Sequence, residues 1–169
     1  MNESEKMSVY IETSVISYLT SKMSRDLVIA AHQEISLVWW EKRRFNYRLF
    51  ISRVVMDEIT AGDEQLAQRR GKLVEGIRLL PITEEMTKLA KHFVEKGILP
   101  QKSAADALHV AIAAISKIDF VLSWNCRHIA NAEIKKAIGK ACQSLGYQAP
   151  SICTPLELLD RWDYEEHNR

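Results

Sequence analysis

The fold is decided by the stretch VYIETSVISYL, residues 9–19, in which a polar triplet separates two apolar segments. The first segment, VYI, is short, β-branched and aromatic, which is typical of a strand. The second segment, VISYL, is typical of an apolar helix, so the triplet marks a strand-to-helix corner. Parallel sheets bind ligands outside the carboxyl ends of their strands, and this directs attention to Glu12.

Strand-like and helix-like segments alternate along the rest of the chain, which predicts an α/β layer architecture with a mainly parallel sheet. Pro81 cannot donate a backbone hydrogen bond, so its strand is expected at an edge of the sheet. Further strands are predicted at residues 49–51, 78–82, 120–122 and 152–153. Helices are predicted at about 25–46, 54–59, 64–76, 83–96, 103–117 and 131–145, and a short one at Thr154.

The composition narrows the class of protein. The chain has 169 residues, which suits one domain, with an expected core at 8–160 and polar termini at 1–7 and 163–169. A formal net charge of +1 argues against a strongly cationic nucleic-acid coat. Three cysteines predict no disulfide framework and fit a reducing cytoplasm. The apolar runs are too short for a membrane span, and the polar first residues are unlike a signal peptide.

Asp106 is the most informative polar residue because it lies in an apolar helix. Between residues 104 and 115 only Asp106 and His109 are polar, and a helix that is apolar nearly all round is normally buried. A buried carboxylate is costly unless it is paired, hydrogen-bonded or bound to a metal. Either Asp106 serves a site, or it forms a capping box with Ser103. We expect His109 to be a core histidine hydrogen-bonded to Asp106 rather than a ligand.

Other polar side chains are candidates because of where they stand. Glu12 and Ser14 occupy the first corner, and Asn125 follows the predicted strand at 120–122. Asp57 and Glu58 are adjacent on a predicted helix, so at most one of them points into a site. Each candidate also has an ordinary interpretation: a turn residue for Glu12 and Asn125, and a helix cap for Ser14.

Taken together, these residues suit a divalent cation. Three acids and one amide come from four separate segments, two of them at strand ends. Mg²⁺ and Mn²⁺ prefer oxygen ligands and usually keep waters and substrate phosphates in their shell. Because an acidic cluster repels a nucleic-acid backbone, metal binding and substrate binding should be coupled. The combination is typical of metal-assisted phosphodiester hydrolysis.

Four stretches resemble, in order, the motifs of PIN-domain nucleases, of which the VapC-like toxins are the largest group. The stretches are Tyr10–Ile16, Val54–Ile59, Ser103–Ala111 and Phe120–Ile129. The resemblance spans residues 8–160. It implies a three-layer α/β/α fold with a central parallel sheet, and an endoribonuclease that depends on Mg²⁺ or Mn²⁺.

The resemblance also implies which residues form the site, with two departures from the family pattern. The positions of the acidic metal site are taken by Glu12, Glu58, Asp106 and Asn125, and that of the accompanying hydroxyl by Ser14. The first motif usually carries Asp, and Glu12 is one methylene longer. The fourth motif often carries Asp, and Asn125 is neutral. Our hypothesis is that the site binds one metal firmly and a second only with substrate.

The resemblance implies three partners: an RNA substrate, a small antitoxin that wraps an apolar groove, and a second copy in a homodimer. Basic clusters at residues 42–44, 69–72 and 135–140 would grip RNA phosphates if they flank the acidic site, and are otherwise solvated helix faces. Trp124, beside Asn125, either stacks on a base or is buried.

The sequence therefore predicts a cytoplasmic, metal-dependent endoribonuclease without a membrane segment, expected to be the toxin of a toxin–antitoxin pair. One alternative is a catalytically weak or silent PIN-like module that binds RNA or a protein partner, which the departures at Glu12 and Asn125 favour. Another is a metal-dependent phosphohydrolase of a small substrate, which a closed pocket without a basic rim would favour.

Overall fold

The strand of the opening stretch lies at the centre of a five-stranded sheet. The computed structural model describes residues 5–160. The strands are β1 (Ser8–Ile11), β2 (Arg48–Ser52), β3 (Arg78–Leu80), β4 (Phe120–Leu122) and β5 (Ser151–Cys153). All neighbouring pairs are parallel, and the strand order is β3-β2-β1-β4-β5. β3 is at an edge, as Pro81 predicts.

Helices connect every pair of consecutive strands. They are α1 (Thr13–Thr20), α2 (Leu27–Lys42), α3 (Arg53–Ile59), α4 (Glu64–Leu73), α5 (Glu84–Glu95), α6 (Ala104–Ile115) and α7 (Ala132–Ser144). Right-handed crossovers place α1–α4 on one face of the sheet and α5–α7 on the other, because the chain reverses its direction of travel across the sheet. The result is the expected three-layer α/β/α architecture. None of the helices within residues 5–160 is long and apolar enough to cross a membrane.

Several boundaries differ from the sequence prediction. The helix expected at 25–46 begins at Leu27, because the Asp26 carboxylate caps it by accepting hydrogen bonds from the backbone N–H groups of Val28 and Ile29. It ends at Lys42 and is followed by a short 3-10 helix, Arg44–Asn46. The helix expected at 64–76 ends at Leu73. The short helix at Thr154 is a 3-10 helix with the expected capping box, and residues 163–169 lie outside the described residues.

The core forms around β1 because this strand has neighbours on all sides. Val9, Tyr10 and Ile11 are fully buried. β2 pairs with one side of β1 and β4 with the other. The apolar helix α6 packs over one face and is buried along most of its length, as its composition predicts.

The strand order reverses between β1 and β4, and this defines where a ligand can bind. The chain moves from β1 to β2 and β3, then returns to place β4 on the other side of β1. In open α/β sheets the crevice at such a switch point, outside the carboxyl ends of the strands, is the usual ligand site. The Glu12 backbone N–H donates to the Leu122 carbonyl at 3.0 Å, and this bond holds the carboxyl ends of β1 and β4 side by side there.

The amino ends of β1 and β4 have their own polar contact, between Ser8 and Asp119. The Ser8 backbone N–H and hydroxyl each donate to Asp119 Oδ2 at 2.7 Å. Burial opposes ionisation of Asp119, but the Ser8 hydrogen bonds and the Arg48 charge outweigh it, so the pKa of Asp119 lies below its usual value. Asp119 is therefore a structural residue remote from Glu12.

We predict that Asp119→Asn lowers the free energy of unfolding at pH 7 by up to about 1 kcal/mol, because Asp119 is exposed and its charge interactions are screened. A lowered pKa stabilises the fold above the unfolded-state value of about 3.9, and that contribution disappears as the pH falls through the folded-state pKa. Urea unfolding should therefore show a smaller deficit at pH 3 than at pH 7. A deficit of equal size at pH 3, or an equal deficit in the surface control Asp57→Asn, would contradict this.

Candidate metal centre

Glu12 is a buried carboxylate at the carboxyl end of β1. Its residue surface is 5% exposed. The Ser14 hydroxyl donates to Glu12 Oε2, and the Ser123 hydroxyl donates to the same oxygen at 2.8 Å. Ser14 is therefore not a helix cap, and α1 has no side-chain cap at its amino end. Both donors bond Oε2, so among the described residues Oε1 has no hydrogen-bond donor and could accept a ligand.

Glu58 reaches the same place from α3. The Thr13 hydroxyl donates to Glu58 Oε2, and His109 Nε2 lies 3.0 Å from that oxygen. Burial would raise the pKa of Glu58, but the hydrogen bonds from His109 and Thr13 and the charge of His109 outweigh burial, so the pKa is lowered. Asp57 points away and pairs with Arg53 at 2.8 Å. Only one of the adjacent acids faces the site, as the helix geometry predicts.

His109 is buried beneath these acids, and its partner differs from the prediction. Its Nε2 faces Glu58 and its Nδ1 lies 2.7 Å from the Tyr10 hydroxyl, so the expectation of a bond with Asp106 is wrong. The reason is competition for partners: both ring nitrogens of His109 are taken by groups on β1 and α3, and the Asp106 oxygens bond Asn125 and His128 instead. Burial would lower the pKa of His109, but the Glu58 hydrogen bond and the charges of the nearby acids raise it above its usual value.

Asp106 faces the loop after β4. Its Oδ1 accepts a hydrogen bond from Asn125 Nδ2 at 2.8 Å, and its Oδ2 lies 2.9 Å from His128 Nδ1. The same His128 nitrogen lies 2.8 Å from the Ser103 hydroxyl. Ser103 makes no side-chain cap on α6, so the capping-box interpretation of Asp106 is wrong. Asp106 instead connects α6 to the segment that carries Asn125.

The predicted site residues all follow the carboxyl ends of strands or lie on nearby helices, and they fall into two groups, with Asp106 outside the first. In the first group, donor atoms of Glu12, Glu58 and His109 all lie within 4.8 Å of one another. The second group contains Asp106 and Asn125, and the charge of Asp106 acts on His109. Carboxylate oxygens at this spacing fit a hard divalent cation such as Mg²⁺ or Mn²⁺.

A family model described as PIN domain matches residues 9–133, well over half of the chain. The chain belongs to the PIN domain family. The match includes all five predicted site residues and both groups of the candidate metal centre. The architecture expected from the motif resemblance is thus confirmed.

Two solved structures have a similar fold to this PIN domain. One is a chain in the structure of VapBC2 from Rickettsia felis bound to a DNA fragment from the VapBC2 promoter. Its TM-score is 0.58 and its sequence identity is 13%, and the alignment covers 88% of this chain and 98% of that one. VapC20 of Mycobacterium tuberculosis, a sarcin-ricin loop cleaving toxin, has a TM-score of 0.56 and 14% identity, covering 77% of this chain and 95% of that one. No curated protein sequence matches the chain significantly.

Trp124 is part of the packing of the PIN domain rather than an exposed platform for a base. Its residue surface is 8% exposed. Its indole N–H donates to the Ser36 hydroxyl at 2.7 Å, and its ring stacks on that of His32 with centroids 4.0 Å apart. Its backbone N–H donates to Ser14 at 2.9 Å. Of the two interpretations of Trp124, burial is the one observed.

The basic clusters at 42–44 and 69–72 lie away from the metal centre. They stand at the ends of α2 and α4, which lead into the amino ends of β2 and β3. Two exposed cations that sequence analysis missed are much nearer to it along the chain. Lys102 precedes Ser103, and Arg127 lies between Asn125 and His128.

Sequence analysis also missed the residues that orient the acids. Thr13 and Ser123 each donate to a site carboxylate. The Nδ1 nitrogen of His128 bonds Asp106, and the Tyr10 hydroxyl bonds the Nδ1 nitrogen of His109. Thr13 and Tyr10 lie within the first PIN-like stretch and Ser123 and His128 within the fourth. The polar residues on either side of Glu12 and Asn125 in those stretches were the signal that could have identified them.

Proposed function

We propose that this PIN domain is a metal-dependent endoribonuclease and the toxin of a toxin–antitoxin pair. The observation that carries the proposal is the meeting of Glu12 and Glu58, from two distant segments, at the switch point beside Asp106. A cluster of acids in that position is costly without a cation, since like charges oppose one another's ionisation. Family membership and the fold shared with a toxin that cleaves the sarcin-ricin loop support RNA as the substrate.

In this proposal Glu12, Glu58 and Asp106 hold Mg²⁺ or Mn²⁺, and Asn125 is a weaker ligand through its amide oxygen. Such a cation activates a water for attack on a phosphodiester and stabilises the leaving oxygen. Ser14 orients Glu12, and the Asn125 amide N–H orients Asp106. Only three of the four positions carry a formal charge, which favours one firmly bound ion, with a second recruited by the substrate phosphate.

The openness of the site favours a polymer over a small phosphorylated substrate. The Glu58 side chain keeps 34% of its surface exposed, and Lys102 and Arg127 are exposed on the adjoining segments. A small-molecule phosphohydrolase is expected to enclose its substrate in a closed pocket lined with few charges. A centre that reaches the surface at Glu58, with cations on adjoining segments, instead suits a chain of phosphates that passes over it.

The proposed partners follow from the same comparison. The Rickettsia felis structure contains VapBC2 with a promoter DNA fragment, and its fold relationship to this chain supports a small antitoxin as a protein partner. A homodimer remains part of the proposal, and so does the cytoplasm as the compartment in which the protein meets RNA.

We predict that Asp106→Ala abolishes Mn²⁺-dependent cleavage of a mixed RNA pool. Residues that merely orient metal ligands typically contribute roughly 10–100-fold to metal affinity or activity, so we expect more than about 100-fold from loss of a ligand. EDTA should have the same effect on the wild type. The matched control is Asp57→Ala, which removes an exposed acid that faces away from the site.

Unchanged cleavage by folded Asp106→Ala protein would overturn the assignment. RNA retention by the wild type without any EDTA-sensitive turnover would favour the alternative, a catalytically silent PIN module that binds RNA or a protein. The departures at Glu12 and Asn125 are the observations that support this second candidate.

We also predict that Lys102 and Arg127 contact RNA phosphates. The double variant Lys102→Ala/Arg127→Ala should weaken RNA binding and reduce the dependence of log Kd on log salt by about 0.7 for each phosphate that the protein no longer neutralises. Filter binding of single-stranded RNA at several salt concentrations measures both quantities. The matched control, Arg69→Ala/Lys72→Ala, removes two exposed cations from the last part of α4, which leads to the amino end of β3. It should leave the slope of log Kd against log salt unchanged. The opposite ranking of the two double variants would contradict this placement of the RNA.

A further inference from the structure

A buried chain of hydrogen bonds runs through the core to the metal centre, and the proposed reaction does not use it. The Ser52 hydroxyl lies 2.7 Å from the Tyr10 hydroxyl, which lies 2.7 Å from His109 Nδ1. His109 Nε2 then lies 3.0 Å from Glu58 Oε2. Ser52, Tyr10 and His109 are all fully buried, and they come from β2, β1 and α6.

The direction of the last bond follows from the chemistry of its partners. The ionised carboxylate of Glu58 can only accept, so His109 Nε2 must carry the hydrogen. A nitrogen that carries a hydrogen has no lone pair for a metal ion. His109 therefore does not act as a ligand while it holds Glu58, although its Nε2 lies within 4.8 Å of the donor oxygens of Glu12 and Glu58.

The bonds to Glu58 all converge on one of its oxygens. Thr13 and His109 both donate to Oε2, and Glu58 has no further hydrogen bond among the described residues. Two donors from α1 and α6 fix the plane and rotation of the carboxylate. The other oxygen, Oε1, is thereby held in one orientation with its lone pairs unused.

The buried position of this chain indicates a role beyond stability. Burying hydroxyl and imidazole groups brings little net stability compared with apolar residues of the same shape, because their desolvation offsets their hydrogen bonds. Each link in turn orients the next, since a fully satisfied buried network has one low-energy arrangement. Its only solvent-facing end is Glu58, which lies in the metal centre.

We propose that Ser52, Tyr10 and His109 form a positioning relay that orients Glu58 for metal binding, with His109 a positioning residue and not a ligand. This inference rests on the proposed function, because it assumes that Glu58 holds the cation. It differs from the bare resemblance to PIN nucleases, which assigns the acids and a hydroxyl but gives no role to Tyr10, Ser52 or His109.

The test is the affinity for Mn²⁺ in the absence of RNA, measured from the electron paramagnetic resonance signal of the free ion. Outer groups that orient metal ligands typically change affinity by roughly 10–100-fold, which is the loss we expect for His109→Leu. Tyr10→Phe keeps the ring and removes the middle link, and we expect a loss of about tenfold at the lower end of that range. His109→Gln retains an amide donor and should bind Mn²⁺ more tightly than His109→Leu.

The matched control is Ser8→Ala, which also removes a buried hydroxyl from β1 but at the opposite end of the strand. Its Mn²⁺ affinity should equal that of the wild type even if its melting temperature falls. If His109→Leu does not fold, Tyr10→Phe decides the question. Folded Tyr10→Phe and His109→Leu proteins that bind Mn²⁺ like the wild type would overturn the relay.

Two further measurements separate the relay from the proposed function. If Glu58→Gln binds Mn²⁺ as tightly as the wild type, Glu58 is not a ligand and the proposed metal centre itself is wrong. If Glu58→Gln loses Mn²⁺ while the relay variants do not, only the relay is wrong. Pulsed electron paramagnetic resonance of bound Mn²⁺ should show no directly bonded imidazole nitrogen, and such a coupling would show His109 to be a ligand instead.

Discussion

The pairing of β1 with β4 is the contact on which the rest of the site depends. Its register sets Ile11 opposite Leu122, so Glu12 and Ser123 leave the sheet side by side. From there the Ser123 hydroxyl holds Glu12, and the Trp124 backbone N–H meets Ser14. A shift of one residue would turn every side chain of β1 to the other face and break all of these contacts at once. The register of two short strands thus sets the position of the first acid relative to the fourth motif.

The second constraint is electrostatic, because three carboxylates are gathered at one edge of the sheet. Each has its own donors: hydroxyls for Glu12, a hydroxyl and an imidazole for Glu58, and an amide and an imidazole for Asp106. The neutral amide of Asn125 fits this arrangement, since a carboxylate at that position would face Asp106 at hydrogen-bond distance and repel it. The formal net charge of +1 conceals this local asymmetry. The acids lie at the carboxyl ends of the strands, and the basic clusters at 42–44 and 69–72 lie towards the amino ends of β2 and β3.

Local pattern was enough to predict the strands, most helices, the edge position of β3 and the burial of α6, because those features depend on neighbouring residues. Apart from helix boundaries, the wrong predictions concern partners distant in sequence. His109 bonds Glu58 across 51 residues rather than Asp106 across one helical turn. Asp106 bonds the loop after β4 rather than its own helix end. Whether the basic clusters flank the acids, which the sequence left open, also depends on the fold: those at 42–44 and 69–72 lie where helices return to the amino ends of strands. Motif resemblance supplied Glu58, which periodicity alone did not separate from Asp57.

The central claim is that one cation is held by the carboxylates of Glu12, Glu58 and Asp106. Crystals grown with Mn²⁺ and without RNA, examined by anomalous diffraction, test it most directly. We predict a single strong peak in contact with carboxylate oxygens of these three residues and not with His109 Nε2. Two fully occupied ions without nucleic acid would contradict the single firm site. A Mn²⁺ peak elsewhere, with none at these carboxylates, would contradict the metal centre itself.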